Sequence, residues 1–251
     1  MHLPLLTDVA FSGWLLAFLA AFLIGVSKAG LKGLSLFNVT LLALAFGAKS
    51  STGIIMPFLV LGDIAAVIYY NRHAQWKPLL RILPWMVVGI LIGVVVGKDL
   101  PERSFKIAMV AIIFVSLALM IYWDVRKSKR VPTHWSFATG SGILSGVTTM
   151  IGNMAGPFTN LYFLMLRLPK NEFVGTAAWL FFITNLVKVP FHIFVWETIT
   201  EESLLLNLKL FPALLVGFVV GAKVLKRFND AFYRKFIIVV TAIGAIAILF
   251  K

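Results

Sequence analysis

The sequence predicts an all-α polytopic membrane protein of two inverted-topology repeats, with about 8–10 membrane segments and a broken or re-entrant helix pair in each half. Three observations predict it. The 251 residues are 60% hydrophobic and only 13% charged, where a soluble domain is about 45–50% apolar and about 25% charged. The excess lies in runs near the roughly 20 residues a helix needs to cross about 30 Å of hydrocarbon. Finally, glycine, proline and polar positions recur in the same order in both halves. Soluble, disordered and nucleic-acid-binding classes are excluded by this composition, and the lipid bilayer is the expected surrounding.

The first segment, residues 9–26, is apolar. It carries no basic leader and no small-residue cleavage site, so it is expected to stay in the mature protein. It runs into a polar break, Gly25-Val26-Ser27-Lys28-Ala29-Gly30-Leu31-Lys32-Gly33. A lysine at a helix centre costs roughly 2.5–3.5 kcal/mol on insertion scales, so such residues face protein, water or a ligand. Segment 31–46 is short for a full crossing, and 51–70, 79–96 and 105–121 complete the first half. The second half reads 135–151, a second break at Thr148-Thr149-Met150-Ile151-Gly152-Asn153-Met154-Ala155-Gly156-Pro157, then 156–166, again short, 173–195, 204–222 and 232–250. Pro101, Pro132 and Pro169 fall in or beside loops, and Trp76, Trp85, Trp123, Trp135 and Trp196 near segment ends, as an interfacial belt requires.

Pro84-x4-Gly89-x3-Gly93 recurs as Pro212-x4-Gly217-x3-Gly221, and an upstream offset of 122 superposes Gly30 on Gly152, Asn38 on Asn160, Gly53 on Gly175 and Asp63 on Asn185. The chain divides into a first repeat, 1–123, a basic linker, 124–134, and a second repeat, 135–251. The Gly-x3-Gly faces are expected to pack helices closely. The net charge of +13 is a matter of topology. If each break region crosses twice or re-enters, fourteen lysines and arginines of the loops fall inside and six outside. If each crosses once, the best division is eleven to nine. Basic loops mark the cytoplasmic side, so the halves are expected to be inverted, with both termini outside.

Helix N-termini at a break present unpaired N–H groups and a partial positive charge, which suits an anion. Ser27 adds a hydroxyl, Lys28 and Lys32 a charge, Gly30 and Gly33 room for close approach; Thr148, Thr149 and Asn153 add neutral hydrogen bonds. The plainer alternative is an external loop with both lysines in water. Asp63 is the acid well inside a segment, and its counterpart Asn185 is followed a turn later by Lys188. Asp63 can pair with Lys188 across the pseudo-two-fold or carry a coupling proton, and Lys188 can serve the substrate or snorkel. No cysteine is present, no histidine pair has metal-binding spacing, and no GxSxG, HExxH or Walker pattern occurs. A metal, a cofactor and an enzymatic activity are therefore not expected.

On Gly25–Gly30, on the second break and on the runs Arg167-Leu168-Pro169-Lys170-Asn171-Glu172-Phe173-Val174-Gly175-Thr176 and Asn185-Leu186-Val187-Lys188-Val189-Pro190-Phe191, the chain resembles the TauE/SafE sulfite exporter family over nearly its whole length. It departs from many members near Thr40, where they carry a proline, and at Lys32, where they carry a glycine. The resemblance implies transport of a small sulfur-containing anion, sulfite or an organosulfonate, often outward, across a bacterial cytoplasmic membrane. Together with the anion site this reads as a secondary transporter working by alternating access, with a proton as candidate coupling ion. The rivals are an anion channel, a carrier of another small organic anion and, from another class, a membrane enzyme or complex subunit. Lys28 is the first candidate for substrate charge: Lys28→Ala is expected to abolish transport in reconstituted vesicles with expression intact, and wild-type flux would remove it from that role.

Overall fold

The computed structural model describes residues 11–31, 34–46, 48–98 and 135–233, with isolated positions between 100 and 122 and between 235 and 243. Among them the chain is helical. The first half supplies α1 (Phe11–Lys28), α2 (Ser35–Phe46), α3 (Ala48–Tyr70) and α4 (Trp76–Lys98). The second supplies α5 (Trp135–Gly152), α6 (Gly156–Met165), α7 (Lys170–Phe194) and α8 (Glu201–Lys226). The expected segments 105–121 and 232–250, apart from a few positions, and the linker 124–134 lie outside the described residues.

Among the described residues five stretches are long and apolar enough to cross a membrane: Phe11–Lys28, Ser51–His73, Trp76–Lys98, Lys170–Phe194 and Glu201–Lys226. Many outward-facing positions are large and apolar, with Phe11, Ile68, Val95 and Leu208 at 70% exposure or more, while Asp63, Thr159, Thr176, Thr184 and Lys188 are fully buried. This inverts the usual soluble pattern and is what a lipid solvent demands, since unsatisfied polar groups cost several kcal/mol there. The chain is a multi-pass membrane protein. α2 and α6 are the exceptions in length, at 12 and 10 residues. At 1.5 Å per residue they reach about 18 and 15 Å, roughly half of the hydrocarbon thickness. The two segments read as too short to cross are thus helices of about half the crossing length, half-helices in that sense.

Glycine sets how the long helices meet. α1 packs along α8, α4 along α5, and α3 along α7. A Cβ built on Gly217 would stand 2.0 Å from Phe22 O, and one on Gly25 2.0 Å from Leu214 O, so α1 and α8 touch backbone to backbone. α4 and α5 do the same: a Cβ on Gly89 would meet Ile143 O at 2.2 Å, and one on Gly146 would meet Met86 O at 2.1 Å. Small residues permit such contact where no hydrophobic force acts between helices. α8 starts where a capping box fixes it: Ser203 N–H donates to Thr200 Oγ1 at 3.2 Å and Thr200 N–H to Ser203 Oγ at 3.0 Å. Trp196 departs from the expected belt. It is buried, with its indole N–H on Val94 O at 3.3 Å, because its ring fills the space over Gly97.

Gly217→Ala is expected to lower stability by about 1–3 kcal/mol through overpacking. Gly140→Ala, with nothing within 4 Å of the added methyl, should be neutral or stabilising, since glycine within a helix costs roughly 0.5–1 kcal/mol relative to alanine. Thermal unfolding of the two variants in detergent checks the contrast.

Candidate functional site

Both breaks are closed by specific local geometry. α1 ends at Lys28, and the chain turns at Gly30, whose φ of 118° belongs to glycine. The carbonyls left over at this end are taken by two phenols: Tyr70 Oη donates to Ala29 O at 2.8 Å, and Tyr233 Oη to Gly30 O at 2.7 Å. α5 ends at Gly152, and Asn153 turns the chain with a left-handed φ of 56°. Thr148 Oγ1 lies within hydrogen-bond distance of Leu144 O (2.8 Å) and Met154 O (3.1 Å), and its one hydrogen, shared between them, staples this second turn.

Between the two turns lies a buried charged network. Lys28 Nζ donates to Asp63 Oδ1 at 2.5 Å, and Asn185 Nδ2 to Asp63 Oδ2 at 2.7 Å. Lys188 Nζ donates to Asn153 Oδ1 at 2.6 Å, Thr149 Oγ1 at 3.1 Å and Asn185 Oδ1 at 3.2 Å. Asn153 Nδ2 in turn reaches Thr52 O at 3.2 Å. The ends of α1 and α5 are thus tied to the middles of α3 and α7. Asp63 and Lys188 are fully buried and Lys28 is 6% exposed.

The two lysines differ in what they have left to give. Lys188 has three acceptors for its three ammonium hydrogens, all neutral. Lys28 spends one hydrogen on Asp63 and lines a cavity of about 50 Å³. Its methylene stem crosses Gly62, where a Cβ would stand 2.7 Å from Lys28 Cγ, and its ammonium lies 5.6 Å from the centre of the Phe181 ring. Ser27, Thr149, Asn153 and Asn185 also line the cavity, as do Ala155 and Gly156 at the N-terminal end of α6.

Most of the residues expected in the site come together here. Ser27, Lys28, Thr149, Asn153 and Asn185 line the cavity, with Asp63 and Lys188 bonded to that lining. Gly30 and Thr148 are placed differently: Gly30 packs on Leu225 and Val174, and Thr148 holds the second turn. Lys32 and Gly33 lie outside the described residues. Asp63 pairs with Lys28 and not with Lys188, since the C-terminal turn of α1 passes directly over α3 at Gly62. Lys188 does not snorkel; α7 carries it to the centre of the network. His192, a turn further along α7, is buried against Thr198 Oγ1 at 2.8 Å. Among the described residues no cluster is placed to hold a metal ion. The sequence reading missed Gly62, Phe181, Asn38 and Asn160 as lining or supporting residues, although the 122-residue offset had already superposed the two asparagines.

Membrane-crossing helices, two short helices and a polar cavity lined by Lys28 define a multi-pass membrane protein. A family model described as Sulfite exporter TauE/SafE matches residues 17–248, nearly the whole chain, and the protein belongs to that family of membrane exporters of sulfite and related anions. No curated protein and no solved structure gives a match.

The ion pair changes what a single substitution at Lys28 tests. Removing one partner of a buried pair leaves a bare charge, at about 3–5 kcal/mol. Lys28→Met is therefore expected to destabilise the protein, and Lys28→Met/Asp63→Asn to recover most of the loss. Thermal unfolding of the two single variants and the double variant measures the coupling, and simple additivity would show that the pair contributes nothing.

Proposed function

We propose that this protein is a secondary transporter that exports a small sulfur-containing anion, sulfite or an organosulfonate, by alternating access across the cytoplasmic membrane of a bacterium. The observation that carries the proposal is the network at the two breaks: Lys28, paired with Asp63, and Lys188, held by neutral acceptors, meet beside one small cavity. A buried excess of positive charge is costly unless an anion joins it.

Two inverted repeats, 1–123 and 135–251, joined by the basic linker 124–134, account for the packing. α1 meets α8 as α5 meets α4, each the exchange partner of the other, and α3 meets α7. Asp63 and Asn185, superposed by the repeat offset, are hydrogen-bonded to each other, as equivalent positions are beside a two-fold axis. In this reading Ser27, Lys28, Thr149, Asn153 and Asn185 contact the substrate, Lys188 adds field from behind, and Lys32 and Gly33 continue the first break. Gly30 and Thr148 shape the turns that hold those contacts.

Asp63 is the proposed coupling residue. A proton on its carboxylate releases Lys28 for the anion, so proton and anion bind together. Asp63→Asn is expected to bind anion while losing the response of transport to a pH gradient; normal pH-driven flux in vesicles would exclude this role. The substrate class is tested by thermal stabilisation of the purified protein with sulfite, sulfate, thiosulfate, taurine, sulfoacetate and carboxylate controls. A ligand that binds only the folded state must raise its stability, by about 2.7 kcal/mol at a hundredfold excess over Kd. A shift confined to carboxylates would move the assignment to another organic anion, and non-saturable flux would indicate a channel.

A further inference from the structure

Two cavity residues have no role in the network. Asn38 is in the first turns of half-helix α2 and Asn160 in the first turns of half-helix α6, 3% and 1% exposed. Both line the cavity that Lys28 lines. In each the side-chain oxygen is buried without a hydrogen-bond partner. Buried polar atoms are partnered in at least nine cases in ten as a rule, and an orphan costs about 1–3 kcal/mol. Here two orphans, one from each half of the chain and superposed by the repeat offset, border one small cavity. That is the pattern of a pair kept for a ligand.

Charge narrows the ligand. The ionisable groups bordering the site are Lys28 from α1, Asp63 from α3 and Lys188 from α7, with His192 a turn beyond on α7. Of these only Lys28 lines the cavity itself, and once a proton on Asp63 releases it, its one positive charge is answered by one negative charge. The lining also mixes donors, in Lys28 and Ser27, with the two unpartnered acceptors. A doubly ionised oxyanion has acceptors only, so both amides would have to turn to meet it, whereas an anion that keeps one hydrogen satisfies one oxygen as it stands.

We propose that Asn38 and Asn160 are the specificity-determining pair of the substrate site, and that they select a singly charged oxyanion retaining one acidic hydrogen, hydrogen sulfite over doubly charged sulfite. The inference rests on the sulfur-anion transport reading above and deepens it. One amide oxygen accepts the acid's hydrogen. The other amide, turned about its Cβ–Cγ bond, gives an N–H to a second oxygen of the anion. Lys28 meets the charge.

The test is binding of sulfite and of methanesulfonate, a monoanion with three like oxygens and no acidic hydrogen, to the detergent-purified full chain by calorimetry across a pH series. Titration of Lys28, Asp63, Lys188 and His192 acts on both ligands and cancels in the ratio of their affinities. That ratio, in total sulfite, is expected to rise as pH falls through the ionisation of hydrogen sulfite and then to level off. Asn38→Leu and Asn160→Leu keep the side-chain shape without polar atoms. Each is expected to weaken sulfite about tenfold, as loss of a hydrogen bond to a charged ligand does, to weaken methanesulfonate less, and to leave the unliganded unfolding temperature unchanged or raised. A ratio that is flat or rises with pH overturns the proposal. So does equal weakening of both ligands, or a fall of several degrees in unfolding temperature, which would make the asparagines structural. Binding with the wrong ratio leaves the sulfur-anion reading intact, whereas failure of both ligands to bind wild-type protein at any pH removes that reading as well.

Discussion

The Lys28–Asp63 ion pair is the constraint on which the rest of the architecture depends. Neither charge is tolerable alone at this depth, and together they are acceptable only if their remaining valences are met. Asn185 meets one through the second carboxylate oxygen. Lys188, bonded to the same asparagine, brings Thr149 and Asn153 into the network and with them the end of α5. One buried pair thus ties elements from both halves of the chain, and the cost of separating them holds the ends of α1 and α5 together.

The breaks and the small residues make that arrangement possible. A continuous α1 would keep Lys28 within a full-length helix and use its terminal carbonyls internally. Ending α1 at Lys28 brings its C-terminal partial negative charge beside the ammonium, and Tyr70 and Tyr233 take carbonyls of the following turn. Gly62 lets the lysine stem lie against α3, one residue from the carboxylate it must reach. Gly25 and Gly217 bring α1 and α8 to backbone contact around the same end. The site is thus built on rigid helix crossings, and its polar members are aimed by the ends of interrupted helices.

Much of the candidate site is legible in the sequence. Lys28, Asp63, Asn185 and Lys188 stand out because an ionisable or amide group inside an apolar run requires a reason. The asparagine turn at the second break stands out because it interrupts hydrophobic periodicity. What the chain order hid was pairing. Asp63 has two lysines within its reach in principle, and whether Lys28 or Lys188 meets it depends on how α1 and α7 lie over α3. Gly30 and Thr148 looked like ligand contacts for a similar reason. Glycine and threonine beside a break serve a ligand or a turn equally well in one dimension, and Leu225, Val174 and the carbonyl of Met154 decide for the turn.

The sequence by itself determined the solvent of this protein, the number and length class of its described helices, the two interruptions and the identities of the buried charges. These follow from composition and spacing, which are local properties. Only the tertiary structure decided that both interruptions open on one cavity, that Lys28 faces it while Lys188 is saturated behind it, and that Asn38 and Asn160 border it with their oxygens unpartnered. Those facts depend on residues 100 or more positions apart meeting across crossing helices, and crossing geometry is set by the shapes of both surfaces together.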